Sequence, residues 1–453
     1  MKENNPRAVV VALLVATLKD GAYNSVALRK TLKNNESLTV QNKAFVTELF
    51  NGTLRNIYYV DHCINTVSSL STEKMKPFVL ALLRSATYEL IFMHTPNHAV
   101  CNEAVALIED SKYKGLKGFV NGVLRTLQRT KEEIPMPEIG TPLYLSVQYS
   151  HPLWLVQMWI AYYGFETTEA ICKENGQSPK VTVRRNTHLT LAENLLAMWQ
   201  AEGVLASEGL YCKGEAYFLK QTADMSCLPS FQKGYFHVQD ESSQMAVAIL
   251  DPQKGETVLD LCAAPGGKTM TIAERMENTG RVVACDIFPN KLELLAETKE
   301  RLQLTIIEET LQDGLQFVPK WEGKFDRVLV DVPCSGLGLL RKKPDIRLKK
   351  TGEEIDTLLP IQRQILETAA RYVKAGGVLV YSTCTLSKKE NEGNVSLFLK
   401  QNEAFSLADI SGFVPENLQN TIQQKGMVTL LPNLWHTDGF FIAKMIRSGK
   451  EQI

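Results

Sequence analysis

Strand-like apolar runs alternate with helical segments along the chain from residue 255 onward. The pattern predicts five strands, at residues 258–261, 281–285, 305–307, 327–330 and 378–381. Helices are predicted between most of them, for example at 290–302 and 354–373. Such alternation is typical of a doubly wound α/β fold built around a parallel sheet. A final apolar run at 440–445 could close the edge of that sheet.

The whole chain, at 453 residues, is too long for one core, and its length predicts two or three domains. Residues 1–130 show apolar residues at helical spacing and no strand alternation, which predicts an all-helical domain. A linker containing proline and glycine follows at 131–142. Mixed helix and strand signals then predict a small α+β linking module at 143–236, ahead of the α/β domain at 237–447.

Cysteine usage and apolar content bound the class of protein. Nine cysteines are scattered without a CxxC pair, which indicates free thiols in a cytoplasm rather than a disulfide framework or a metal site. The apolar run 8–18 is shorter than the roughly 20 residues of a membrane span. It also lacks a signal-peptide cleavage site, so we predict a buried helix. We expect a cytoplasmic protein with no membrane partner and no metal.

Net charge is zero overall but unevenly distributed. Residues 1–130 hold 16 Lys/Arg against 10 Asp/Glu. One basic cluster in this part consists of Lys112, Lys114, Lys117, Arg125 and Arg129. A second basic cluster spans residues 341–350. Basic patches suit a polyanionic partner, although either cluster alone could equally be a solvated helix face.

Residues 258–268 (VLDLCAAPGGK) predict a strand, a glycine-rich turn and a helix start. A glycine turn lets the backbone approach a ligand closely, and this one lacks the GxGxxG spacing of dinucleotide enzymes. Three acids, Asp286, Asp313 and Asp331, stand at the ends of the next three strands. Each acid alone could be a cap or a solvated loop residue. The set and the turn together fit a cofactor with a ribose, an adenine amino group and a cationic end.

Two further strings place a cysteine directly after a predicted strand. They are residues 330–336 (VDVPCSG), with Cys334, and residues 380–385 (VYSTCT), with Cys384. Open α/β sheets bind their ligands at the carboxyl ends of the strands. Two thiols at that edge could act on one substrate, whereas a single one would more simply be a buried strand-end residue.

Together the three strings resemble the RNA 5-methylcytosine methyltransferases, which use S-adenosylmethionine and two cysteines. Residues 149–156 (YSHPLWLV), 238–243 (VQDESS) and 343–347 (KPDIR) are similar to the ribosomal RNA methyltransferase B (Sun/Fmu) group of that family. Residues 119–125 (FVNGVLR) resemble part of a NusB-type RNA-binding domain. The resemblance implies a NusB-like all-α domain over 1–130, the small α+β module, and a Rossmann-like S-adenosylmethionine-dependent methyltransferase domain.

The resemblance also implies C5-methylation of one cytosine in small-subunit (16S) ribosomal RNA. Cys384 would be the nucleophile that adds to C6 of the base, Cys334 would assist product release, and Asp331 would contact the base. The cofactor-binding residues would be Cys262, Ala263, Ala264, Pro265, Gly266, Gly267, Lys268, Asp286, Asp313 and Asp331. The chain departs from the family in two places: the family usually has an aromatic residue near Leu348, and its second motif commonly ends in serine where Thr385 stands. Both departures concern substrate contacts rather than reacting groups.

We expect a monomer that binds ribosomal RNA, free or in an assembling particle. Two other functions stay open at this stage. A non-catalytic RNA-binding factor, for assembly or antitermination, could use an inactive methyltransferase fold, but the intact cysteines and Asp331 argue against it. A nicotinamide-dependent enzyme with a redox cysteine is disfavoured, because the turn is not GxGxxG and no redox cysteine pair is present.

Overall fold

The computed structural model of the chain describes residues 5–19, 24–35, 37–220 and 224–449. The chain divides into two compact units, which are residues 1–177 with 340–350 and residues 178–339 with 351–453. The boundary after Gln177 falls inside the span 143–236, which the sequence predicts as a single module. The first helices of that span therefore belong to the first unit, and its strands belong to the second.

The helices, in chain order, are α1 (Pro6–Lys19), α2 (Asn24–Asn34), α3 (Val40–Arg55), α4 (Ile57–Val67), α5 (Pro77–Phe92), α6 (Asn97–Glu109), α7 (Lys117–Thr130), α8 (Pro142–Gln148), α9 (Leu153–Tyr163), α10 (Phe165–Asn175), α11 (Ala192–Ala201), α12 (Pro229–Gln232), α13 (Glu241–Leu250), α14 (Gly267–Arg275), α15 (Pro289–Arg301), α16 (Ile346–Lys349), α17 (Gly352–Tyr372), α18 (Glu392–Gln401) and α19 (Pro432–Trp435). The strands are β1 (Val181–Arg185), β2 (Leu205–Glu208), β3 (Ala216–Lys220), β4 (Phe236–Val238), β5 (Thr257–Asp260), β6 (Arg281–Asp286), β7 (Ile307–Leu311), β8 (Phe325–Asp331), β9 (Val373–Thr383), β10 (Phe405–Leu407), β11 (Ile422–Gln423), β12 (Met427–Leu430) and β13 (Phe440–Arg447).

Over its described residues, the first unit is helical, as predicted for residues 1–130. One apolar core joins α1 with α3 to α7, because these helices bury the apolar side chains that the sequence repeats at helical spacing. The run 8–18 lies in α1, and its Val10, Leu13 and Leu14 are buried in this core, which confirms the predicted buried helix. Among the helices of the described ranges, none has the length and apolar character needed to cross a membrane.

The basic run at 341–350 belongs to the first unit and is partly internal to it. Arg341 is buried in an ion pair with Glu174 of α10 (2.7 Å). Arg347 is also buried, and it donates hydrogen bonds to the carbonyls that end α3 and α10 and to the carbonyl of Ser150. Burial lowers the pKa of Arg347 to about 10. Both guanidinium groups thus stabilise the fold, and the run is not a continuous surface for a polyanion.

The second unit begins with a four-stranded antiparallel sheet in the order β2-β3-β1-β4. Trp199 of α11 is fully buried against Tyr217 and Phe236 of this sheet. A buried ion pair connects this antiparallel sheet to α14, since Arg184 of β1 lies 2.7 Å from Glu274 of that helix. Strands β1 to β4 with α11 are the mixed helix and strand content that the sequence predicts for this region.

The rest of the second unit is a nine-stranded sheet in the order β11-β12-β13-β9-β8-β5-β6-β7, with β10 paired to β13. The pairs β5–β6, β5–β8, β6–β7 and β8–β9 are all parallel, which confirms the predicted doubly wound sheet. After β5 the chain adds β6 and β7 on one side and β8 and β9 on the other. The topological switch point therefore lies between β5 and β8, where such sheets bind ligands at their carboxyl ends.

Helices cover both faces of the parallel strands. Val258 of β5 lies in a core that includes residues of α13, α14 and α15, whereas Leu259 lies in the core of the opposite face, with residues of α17 and α18. Successive side chains of a strand point to opposite faces, so a strand covered on both sides is apolar along its length. This is why these strands appear in the sequence as continuous apolar runs.

Two strand predictions are wrong in detail. The third strand is β7, residues 307–311, rather than 305–307. β7 lies at one edge of the sheet and contains Glu308 and Glu309. The apolar run in the sequence therefore stops at residue 307, where the strand begins. The last strand, β13, does not close the edge, because it pairs with β9 on one side and β12 on the other. The short strand β12 was not predicted.

Candidate active site

The turn after β5 leads from the sheet into α14, as the string 258–268 predicts. Ala263 donates its N–H to the carbonyl of Cys285 in β6, and Gly266 donates to the carbonyl of Ala263, both at 2.8 Å. Gly266 has a φ of +102°, and a Cβ at this position would lie 2.7 Å from Cγ of Leu295. Only glycine suits this conformation and this contact. The turn brings its backbone, with Cys262, Pro265 and Gly267, to the carboxyl end of β5.

Asp286, at the end of β6, lies against this turn. Its Oδ2 accepts the N–H of Ala264 (3.2 Å), and its Oδ1 accepts the N–H of Phe288 (3.0 Å). Both oxygens keep acceptor capacity, because an ionised carboxylate has about four lone-pair sites. Asp313 follows β7 and closes a local turn by accepting the N–H of Leu315 (2.9 Å). The structure thus joins Asp286 directly to the turn, while Asp313 makes no such contact in the hydrogen bonds of the described residues.

Lys268 of α14 and Asp331 of β8 form an ion pair of 2.6 Å. The other oxygen of Asp331 accepts the hydroxyl of Ser382 in β9 (2.8 Å). Burial alone would lower the pKa of Lys268, but the charges of Asp331, Asp260 and Cys384 outweigh it and raise that pKa. Lys268 therefore stays cationic beside the second cysteine string.

Cys334 and Cys384 come together, with their sulfur atoms 3.2 Å apart. The hydrogen bond with Cys384, followed by burial, raises the pKa of Cys334 well above its usual range. Burial also raises the pKa of Cys262. The two cysteine strings, predicted separately from sequence, form one site beside the ion pair of Lys268 and Asp331.

Two buried acids of this region were missed from sequence. Asp260 ends β5, and its Oδ2 accepts the hydroxyl of Thr269 (2.7 Å), while its Oδ1 has no hydrogen-bond partner among the described residues. Glu390 is fully buried beneath both cysteine strings. Asp260 stands within the string that predicted the turn, so its position was a usable signal. Glu390 lies in the polar run SKKENE, which has the composition of a solvated loop.

Three family models match the chain. Residues 4–129 match the NusB family, and residues 151–226 match the ferredoxin-like domain of RsmF/B-like methyltransferases. Residues 247–446 match the 16S rRNA methyltransferase RsmB/F family.

Similar proteins match over the full length. The probable ribosomal RNA small subunit methyltransferase B of Bacillus subtilis is 38% identical, over 99% of this chain and 100% of that protein. This chain belongs to the ribosomal RNA small subunit methyltransferase B family. A probable member from Synechocystis is 36% identical over 94% of this chain and 95% of its own length. The ribosomal RNA small subunit methyltransferase B of Serratia proteamaculans is 33% identical over 99% of this chain and 100% of its own length.

Solved structures agree with the fold. A crystal structure of PH0851 is 26% identical and superposes with a TM-score of 0.81 over 97% of this chain and 98% of that one. A methyltransferase homolog protein from Pyrococcus horikoshii is also 26% identical, with a TM-score of 0.58 over 68% of this chain and 100% of that one. The predicted architecture of a NusB-like helical domain, a small α+β module and a Rossmann-like methyltransferase domain is confirmed.

The family uses S-adenosylmethionine, and the residues at the switch point fit this cofactor. The glycine turn gives close access to backbone, and Asp286 beside it has acceptor capacity for ribose hydroxyls. The unpartnered Oδ1 of Asp260 and the oxygens of Asp331 supply hydrogen-bond acceptors at the same edge of the sheet. The turn does not have the GxGxxG spacing of a dinucleotide site.

The buried carboxyl of Asp260 should make stability depend on pH. Burial raises its pKa from 3.8 to about 7. Between these values the native state binds a proton that the unfolded chain releases, so this contribution to stability is lost as pH rises through about 7. Asp260→Asn cannot titrate and still accepts from Thr269. Relative to the native chain without cofactor, it should gain about 1–3 kcal/mol in unfolding free energy between pH 5 and pH 8.

Urea denaturation at the two pH values measures this difference. Glu293→Gln, at an exposed site of α15, is the matched control. Its difference in unfolding free energy from the native protein should be the same at both pH values. Other buried acids cancel, because they are common to both proteins. A pH-independent difference for Asp260→Asn would show that Asp260 is ionised in the native state.

Proposed function

We propose that this protein methylates C5 of a specific cytosine in small-subunit ribosomal RNA through a covalent bond between Cys384 and C6 of the base. The observation that carries this proposal is the 3.2 Å separation of the sulfurs of Cys334 and Cys384, at the carboxyl ends of neighbouring strands. One base bound there could reach both thiols. A binding protein without catalysis would have no need for two cysteines in contact beside a lysine–aspartate pair.

The chemistry begins at Cys384, since C5 of cytosine is a poor nucleophile. The Cys384 thiolate adds to C6, and the electrons of the C5–C6 double bond move toward C5 and the N3 edge of the ring. Lys268, which stays cationic beside the second cysteine string, is the group that would stabilise this thiolate by its charge. N3 takes up a proton as charge develops on the ring, and the carboxylate of Asp331, the group assigned to the base, would accept the N3–H, which favours the addition. S-adenosylmethionine, when bound, supplies an electrophilic methyl group.

Release requires the opposite electron flow. Cys334, once ionised, takes the proton from C5, the C5–C6 double bond re-forms, and the bond from C6 to the Cys384 sulfur breaks. The largest cause that raises the Cys334 pKa is its hydrogen bond with Cys384. Once Cys384 is attached to C6, its sulfur is a thioether and no longer a thiol partner, so this cause of the raised Cys334 pKa is removed. Cys334 can therefore act as a base only after the attachment step.

The cofactor would be held by residues 262–268 and by Asp286, Asp313 and Asp331. Of these acids, Asp286 is best placed for the ribose, because it already accepts an N–H from the turn. The substrate would be ribosomal RNA, free or within an assembling particle, bound by a monomer in the cytoplasm. RNA docking would fall to the first unit, where the side chains of the cluster Lys112, Lys114, Lys117, Arg125 and Arg129 are exposed.

The two cysteines should give different products when replaced. Cys384→Ser should abolish both methylation and adduct formation with transcribed small-subunit ribosomal RNA, because a serine hydroxyl is far less ionised than a thiol. Cys334→Ser should still attack and methylate but fail to eliminate, leaving protein attached to RNA. A denaturing gel should show this as a slow, nuclease-sensitive band that the double variant lacks. Cys227→Ser, at an exposed thiol, is the control and should behave as the native protein. An adduct from Cys384→Ser alone would reverse the assignment.

RNA docking by the first unit predicts a change in salt dependence. Arg125 and Arg129 are exposed on α7. Each phosphate contact contributes roughly 0.7–0.9 to the slope of log affinity against log salt, so Arg125→Gln with Arg129→Gln should reduce the slope by about 1–2. Cofactor binding should not change. Filter binding over a salt series measures the slope, and Lys400→Gln, an exposed lysine of α18, is the control. An unaltered slope in the double variant would place the RNA-binding surface elsewhere.

A further inference from the structure

A single buried carboxylate connects the two cysteine strings. Glu390 has no exposed surface. Its Oε1 accepts the backbone N–H of Ser335 (2.8 Å) and its Oε2 accepts the Ser335 hydroxyl (2.6 Å). The same Oε2 accepts the hydroxyl of Thr385 (3.2 Å). Ser335 directly follows Cys334, and Thr385 directly follows Cys384. The carboxylate is thus bonded to the next residue after each reacting thiol.

Neighbouring amides complete the same buried cluster. Gln362 of α17 donates to Glu390 (3.0 Å) and to the carbonyl of Pro333 (3.0 Å), the residue before Cys334. Asn391 accepts the hydroxyl of Thr383 (2.6 Å) and donates to the carbonyl of Thr385 (3.0 Å), on either side of Cys384. Each cysteine is therefore flanked by residues whose polar groups end in this cluster.

Burying the Glu390 carboxylate costs free energy, which a role in positioning the two cysteine strings would explain. The hydrogen bonds that Glu390 accepts from Ser335, Thr385 and Gln362, among the described residues, come from neutral donors. Neutral donors compensate only part of the cost of burying a carboxylate. Two buried hydroxyls could satisfy each other instead, since the Ser335 and Thr385 oxygens already lie 2.7 Å apart. What an ionised carboxylate adds is an acceptor with no donor of its own, which fixes the direction of every hydrogen bond around it.

We infer that Glu390 is a positioning residue that holds Cys334 and Cys384 at the separation from which both can act on one base. The inference rests on the proposed function for its catalytic meaning, but the separation itself can be measured without RNA or cofactor. Glu390 makes no hydrogen bond to either sulfur in the bonds of the described residues, and it acts through Ser335 and Thr385. Its negative charge also contributes, after the Cys384 hydrogen bond and burial, to raising the pKa of Cys334.

Disulfide trapping reads the separation directly. Diamide removes one hydrogen from each of two neighbouring thiols, is itself reduced to the hydrazine, and leaves a Cys334–Cys384 disulfide that peptide mass mapping quantifies after alkylation. Glu390→Gln replaces one acceptor oxygen with an amide nitrogen, which donates and cannot accept a hydrogen bond. In the full-length folded protein it should slow trapping about tenfold or more, the scale of one hydrogen bond to a charged group. Glu403→Gln, at an exposed glutamate, should trap at the native rate.

Kinetics then test whether the separation matters for reaction. In Glu390→Gln, kcat for methylation should fall about tenfold or more, while KM for RNA and the affinity for S-adenosylmethionine stay within about twofold. A purely structural role would instead leave kcat intact in the folded variant. Native trapping or native kcat in Glu390→Gln would overturn the inference. If the native protein does not methylate RNA at all, the proposed function fails, and the trapping rates still decide whether Glu390 sets the separation.

A second pair of variants keeps the test valid if Glu390→Gln does not fold. Thr385→Ser keeps the hydroxyl that Glu390 accepts, whereas Thr385→Val keeps the side-chain shape and loses the hydroxyl. Thr385→Val should slow trapping and lower kcat, and Thr385→Ser should restore both to near the native values. Equal trapping rates for the two variants would contradict the inference, because the hydrogen bond from Thr385 to Glu390 would then not affect the position of Cys384.

Discussion

The register between β8 and β9 is the constraint on which the site depends. The two strands run in parallel with Val330 opposite Tyr381 and Asp331 opposite Ser382. Each strand then ends in a cysteine string, so the register sets Cys334 beside Cys384. A slip of one residue would turn every side chain of a strand to the other face of the sheet. Burial of both faces, by α13 to α15 and by α17 and α18, makes that slip prohibitively costly.

The same sheet arrangement explains why the cofactor residues and the cysteines share an edge. The turn, Asp286 and Asp331 end β5, β6 and β8, which are neighbours in the sheet although they are distant in sequence. The ion pair of Lys268 and Asp331 crosses the switch point and connects the turn to the cysteine strands.

Much of this could be predicted from sequence, and the reason is physical. Strands buried on both faces appear as continuous apolar runs, so β5, β6, β8 and the apolar part of β9 were found close to their true positions. The edge strand β7 and the short β12 were misplaced or missed, because edge strands carry polar residues and short strands give little periodicity. The cysteine strings were found because each follows a buried parallel strand.

Residues whose role depends on tertiary burial could not be predicted. Glu390 lies in a polar run, and only the folded chain shows that its carboxylate is buried under both strings. The sequence placed Arg341 and Arg347 on a basic surface. In the fold, the guanidinium group of Arg341 pairs with Glu174, and that of Arg347 donates hydrogen bonds to backbone carbonyls. In both cases the composition indicates solvent exposure, and hydrogen bonding inside the fold overrides it.

The proposed mechanism attaches the base to Cys384 rather than to Cys334. It can be tested by transcribing small-subunit ribosomal RNA with 5-fluorocytidine in place of cytidine. Fluorine at C5 cannot leave as a cation, so elimination stops and the attached protein accumulates. Nuclease digestion followed by peptide mass mapping should then place the modified nucleotide on the peptide that contains Cys384. Attachment at Cys334, or normal turnover of cytidine RNA with no attachment to the fluorinated RNA, would contradict the account.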